Sequence, residues 1–218
     1  MESLIDVSSR AHAFVPLQVL AGLTVLSLLP FALVTCTSFV RIVVVLSLVR
    51  SAIGASAVPP NAVLAGLALV LTLAVMAPTF DQISRGAVEP YARGRLTQSQ
   101  ALDRGVRPLR SFMLRQVRVA DVRLFERTAR RPPEPLARVP LTVLVPAFVV
   151  GELHDAFAMG FALYLPFVAI DLAVAAMLMG LGMMMLSPPV VSLPVKLLLF
   201  VMVDGWALVC GGVAASFR

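Results

Sequence analysis

Five charged side chains stand inside the apolar stretch from Gly151 to Trp206: Glu152, Asp155, Asp171, Lys196 and Asp204. A sixth, Arg41, interrupts the run TCTSFVRIVVVLSLVRSAIG nearer the start. A charge in an apolar span costs about 2.5–3.5 kcal/mol on insertion scales, so such groups face protein partners or a wet path. Lys196 and Asp204, eight residues apart, lie about 80° apart around a helix and two turns along it, too far for a direct bond. Each therefore needs a partner elsewhere: Glu152 or Asp171 for Lys196, Arg41 for one of the acids. The plainer alternative for Asp204 is a capping residue before Gly205-Trp206. Arg50 lies on a different helix face from Arg41 and reads as a helix-end cation with its head in water. For Arg41, snorkelling and a buried partner are both open.

The second candidate constellation is sulfur-rich: Met177, Met179, Met183, Met184 and Met185, with Gly180 and Gly182 among them. Unbranched thioether chains repack around different shapes, so a ring of them could seal a pore and yield to a passing chain. Lipid-facing or core methionine is the plainer account on these residues alone. No nucleophile elbow, phosphate loop or HExxH pattern accompanies His12 and His154, so no catalytic residues are assigned. The two cysteines, Cys36 and Cys210, sit in apolar surroundings and read as small core residues; no metal ligand set and no cofactor is expected.

Of the 218 residues, 59% are hydrophobic and 14% charged, with mean hydropathy +0.93. Soluble domains are nearer 45–50% apolar and 25% charged, so helices spanning or packed at a membrane are expected, in one domain. The net charge of +6 is uneven. Between Asp81 and Arg138 stand 13 arginines and 6 acids, against 5 basic and 6 acidic groups elsewhere. That segment lacks interleaved aromatics and any binding motif, which argues against nucleic acid. The start has acidic residues where a signal peptide is basic and no small-residue cleavage site, so the first apolar segment is expected to remain.

The elements that must position these residues follow in order. Residues 1–15 form a polar lead within an apolar helical part that runs on to residue 78. Pro16 to Val34 is an apolar helix candidate kinked at Pro30. GASAVPP (54–60) is a break, and Ala62 to Ala77 a second apolar helix ended by Pro78, short enough to favour burial among other helices. Residues 79–138 form the basic, amphipathic helical segment. Thr97-Gln98-Ser99-Gln100 fits a capping box, opening a helix that stops at Gly105. Pro108 opens the next, with Leu109, Phe112 and Met113 on one face, and Asp121 caps a further turn through Val122 and Phe125. RRPPEP (130–135) is a stiff linker. In the last part, 139–218, Pro146 splits a first apolar piece. Ala156 to Leu186, kinked at Pro166, and Val190 to Phe217 make a helical hairpin turning at Ser187-Pro188-Pro189. The fold class is all-α, with kinked apolar hairpins around a basic middle.

Several ordered stretches resemble the FliP/SctR family, the export-gate proteins of bacterial flagella and type III secretion injectisomes. They are TSFVRIVVVLSLVRSAIG (37–54), PPNAVLAGLALVLTLAVMAP (59–78), PLRSFMLRQVR (108–118) and GELHDAFAMGF through SLPVKLLLFVMVDGW (151–206). The likeness covers nearly everything from Pro16 onward. It implies a helical oligomer, a homopentamer, that builds a cone-shaped portal at the inner membrane with FliQ/SctS-like and FliR/SctT-like subunits. FlhB/SctU-like and FlhA/SctV-like components would be neighbours and unfolded proteins the cargo, with lipid around. By resemblance Met183, Met184 and Met185 form a gasket that narrows the channel, reversing the plainer account. Glu152 and Lys196 match acidic and basic family positions that pair between subunits.

The short lead resembles injectisome members, whereas PLRSFMLRQVR looks more flagellar, and the balance tips to the flagellar side. The basic segment would be cytoplasmic by the positive-inside rule, whereas the resemblance implies the periplasmic side. Helices assembled against one another and raised out of the bilayer would reconcile the two. The alternative from another class is a small polytopic transporter using Asp171 and Lys196 as an ion or substrate relay.

Overall fold

The computed structural model describes Ser27 and residues 30–55, 58–183 and 185–217. The polar lead and most of the helix expected from Pro16 lie outside the described residues, as does Met184. Two compact units divide the chain at Val34 and Thr35. In the first, Ser27 and residues 30–34 are helical. In the second the described residues form helices and turns without a strand.

Helix α1 (Phe39–Ile53) ends on Gly54, whose φ of 87° closes the last turn in the left-handed region that glycine enters freely. Helix α2 (Asn61–Ile83) continues through a π turn (Ser84–Val88) and α3 (Glu89–Ala92), giving 32 helical residues in all. The expectation that Pro78 ends this helix, leaving a short buried piece, is therefore corrected. Stopping there would strand backbone groups among apolar side chains, which costs more than the one bond proline removes. Much of this helix, including Val63, Leu69, Val70 and Leu73, is exposed on the single chain.

Helix α4 (Gln98–Gln116) opens on the expected capping box: the Gln100 backbone N–H donates to the Thr97 hydroxyl, and the Thr97 N–H to the Gln100 side chain. It runs through Gly105 and Pro108, correcting the stop and the restart expected there. Gly105 lies close to Ala87 and Ile83 of the preceding helix, so packing rather than chain termination accounts for it. Helix α5 (Val119–Thr128) starts two residues before Asp121, which sits in its first turn and does not cap it. After the Arg130–Pro135 linker and a 3₁₀ turn (Leu136–Arg138), helix α6 runs unbroken over 40 residues, Leu141–Gly180, through Pro146 and Pro166. The split expected at Pro146 is absent, for the same reason as at Pro78.

Helix α7 (Pro188–Met202) returns, breaks, and resumes as α8 (Gly205–Ala215) at 64°. The hairpin is as expected, but its tip is the segment 181–187; the two prolines open α7, where a missing N–H costs nothing.

Two apolar cores organise the elements. In the first, Ile42, Val45, Leu46 and Val49 of α1 pack with Leu64, Ala156, Phe167, Phe200 and Val209. In the second, Phe112, Met113 and Val122 of the basic segment close on Met76, Val143, Leu144 and Phe148. Leu109 and Phe125 flank them, so the apolar face read from the sequence is the packed one. Helices 61–92 and 141–180 are long and apolar enough to cross a membrane, and the bent pair α7–α8 passes the same test as one span. At 1.5 Å per residue α6 is about 60 Å long, roughly twice a bilayer's hydrocarbon thickness. Its first turns are spent on the second core.

Candidate functional site

Arg41, 3% exposed, is the hub of the buried charge. Its Nε and Nη2 donate to the two carboxylate oxygens of Glu152 at 2.8 and 2.7 Å, a planar fork on a planar acceptor. Nη2 also donates to Asp155 at 3.0 Å, and Nη1 to the Ser216 hydroxyl at 3.1 Å. The guanidinium lies over the Phe217 ring, 4.3 Å from its centroid, and that ring stacks on Phe112, which meets Phe148 edge-on. Helix α6 delivers both acids because positions i and i+3 share a face. Of the two readings left open for Arg41, the buried partner is the one found. Arg50 is not simply solvated either: it donates to Asn61 Oδ1 at 2.7 Å and to the Pro59 carbonyl at 3.0 Å, holding the break after α1.

Lys196, 5% exposed, is the second hub. Its ammonium donates to Asp171 Oδ2 at 2.5 Å and to the Ala52 carbonyl at 3.3 Å. The Ser192 hydroxyl donates to the other Asp171 oxygen at 2.6 Å. Asp171 is thus the partner that Lys196 finds in its own chain, and its side chain is 36% exposed. Glu152 and Lys196 are not brought together within the chain, since each is engaged by another residue. Asp204, expected among the buried charges, is exposed. It sits at the break before α8 with φ 50°, its backbone carbonyl accepting from Leu208 and its side chain capping nothing. The capping alternative is right about its place and wrong about its side chain.

The methionine tip has a specific local cause. The Met183 N–H donates to the Leu178 carbonyl at 2.9 Å and the Gly182 N–H to Met179 at 3.1 Å, with Gly182 at φ 72°. This is the crossed pair of bonds that ends a helix on a left-handed glycine. It throws the chain outward at Met183, and Met185 is fully exposed. Leu181 and Leu186 are exposed beside it. Among the described residues no cluster of His, Cys, Asp or Glu has the makings of a metal site.

Outside the apolar spans, Glu126 is buried under the linker and accepts from Arg123 at 2.7 Å and from the Glu134 N–H at 3.1 Å. The Arg123 bond, with the backbone bond second, holds its carboxyl below the usual range. Sequence reasoning passed over this contact, and over Ser192, Ser216 and Phe217. Ser192 had a usable signal, standing four residues before Lys196 on the same helical face.

The FliP family model matches residues 22–213. The chain is 50% identical over 204 residues to the flagellar biosynthetic protein FliP of Pectobacterium carotovorum subsp. carotovorum, covering 92% of this chain and 78% of that protein. It is 48% identical to the protein of that name from Caulobacter vibrioides, over 92% of this chain and 76% of the relative. Against its counterpart in Bacillus subtilis the identity is 45%, over 89% of each.

Proposed function

The chain belongs to the FliP family, a component of the flagellar export apparatus, and from that premise we propose that it is a subunit of the type III export gate. Copies of the chain, as a homopentamer, join FliQ/SctS-like and FliR/SctT-like subunits around a channel, with FlhB/SctU-like and FlhA/SctV-like components beside it. Unfolded proteins destined for the flagellum cross the inner membrane through this channel. Much of the assembly stands on the periplasmic side, the basic segment included. The observation that carries the reading is the exposed methionine tip, with Met185 fully exposed and Met183 thrown outward by Gly182. A flexible apolar tip of this kind is costly alone and is accounted for by sister tips that meet it.

Replacing Met183, Met184 and Met185 by alanine is expected to leave assembly intact and to make the inner membrane leaky to small ions. The readout is depolarisation followed with a voltage-sensitive dye, and an unaltered leak would count against the gasket.

The pairing of Glu152 with Lys196 between subunits belongs to this reading as a contact added on assembly, because Arg41 and Asp171 already hold these groups in the single chain and an ammonium has three N–H donors to share. Lys196→Glu is expected to block assembly, and Glu152→Lys to restore part of it, as read from native gels of the purified complex. Restoration by Asp171→Lys alone would put the working pair inside the chain instead.

A further inference from the structure

Asp171 and Ser192 have no part in the gate reading beyond holding Lys196, although they stand at the base of the hairpin that carries the methionine tip. We infer that Asp171, seconded by Ser192, is a positioning residue that sets the register of the hairpin carrying Met183 and Met185. The inference rests on the gasket reading and adds to it the group that aims the gasket.

The two arms of the hairpin meet through apolar side chains, Phe167 of α6 against Phe200 of α7 with ring centroids 6.4 Å apart. Apolar contact is non-directional, so it does not by itself select one register of two sliding helices. Hydrogen-bonded charges do, and fixing registry is the best-attested use of a buried polar pair. Both Asp171 oxygens are engaged by α7, one by the Ser192 hydroxyl and one by the Lys196 ammonium. Lys196 then reaches on to the Ala52 carbonyl in the last turn of α1. That carbonyl is one of the four a helix C-terminus leaves without an intrahelical partner. The arms and the rest of the molecule are thereby tied at one point. Beyond it the α6 arm runs twelve residues to Met183, and the α7 arm seven residues back to Met185. A one-residue slip at the tie would carry the tip about 1.5 Å along the helix axis, enough to misalign a ring of side chains.

The test uses the full chain co-expressed with its partner subunits, with ion leak and assembly yield measured together. Asp171→Asn keeps the shape and removes the charge. It is expected to raise the leak severalfold at unchanged assembly, Ser192→Ala to raise it less, and Asp171→Glu, which keeps the carboxylate, to stay nearer the unmodified level. A fold-only role would lower the yield without a leak in the complexes that form. Should Asp171→Asn fail to assemble, Ser192→Ala carries the test alone. If the methionine-to-alanine gate leaks while neither variant does, this inference is overturned and the gasket stands. If the methionine-to-alanine gate does not leak, both fall.

Discussion

Glu126 is the clearest case of a single residue whose contribution depends on conditions. Its folded-state pKa is held below the ordinary value of 4.5 by Arg123 and the linker backbone. The bond therefore adds stability above pH 4.5, which is lost as pH falls through the folded-state value. Thermal unfolding in detergent should find Glu126→Gln less stable than the parent at neutral pH and the two converging on acidification. A gap that widened in acid would contradict the assignment. At this scale the sequence announced that Lys196 needs a partner, because an uncompensated charge in an apolar span is too costly, and left Arg41 open between a partner and snorkelling. It offered the right acids among several. It did not choose between Glu152 and Asp155 for Arg41, because both lie on one face of α6 and both are used. Ser216 and Phe217, near the far end of the chain, could be placed against Arg41 only by the fold.

Among the elements, prolines and glycines misled where their surroundings override local propensity. Pro78 and Pro146 lie inside apolar helices, because a break would expose backbone polar groups with no water to satisfy them, whereas Gly105 and Pro108 lie inside the polar α4, which the packing of Phe112 and Met113 carries on. The capping box at Thr97 and the linker at 130–135 were legible, since both lie in the polar segment, where local chemistry decides. Gly160 marks a close approach between α1 and α6. A Cβ there would overlap the Leu48 side chain, whose Cβ and Cγ lie only 3.0 and 3.2 Å from that point. Gly160→Val should cost about 1–3 kcal/mol through overpacking, read as a lowered unfolding temperature. Gly211→Val, with nothing within 4 Å of the added Cβ, serves as the control, and equal effects would deny the close approach.

Outside the basic segment, the described part of the molecule is apolar inside and out. Phe157, Phe161, Leu165, Leu198, Val201 and Met202 are all exposed on one chain, and a surface this apolar is an interaction surface with lipid or protein. The all-helical class, the hairpin and the tip were readable from composition and from the ordered motifs. Which faces close within a chain and which stay open was not, since a helix apolar all round has no face that periodicity could single out. The most direct measurement of the gate reading is a photo-cross-link from Met183 or Met185 to an export substrate stalled in transit, with exposed Phe161 as the comparison site. Cross-links at the two methionine positions and none at Phe161 are predicted; a gate that exports normally yet never links its cargo to either methionine would contradict it.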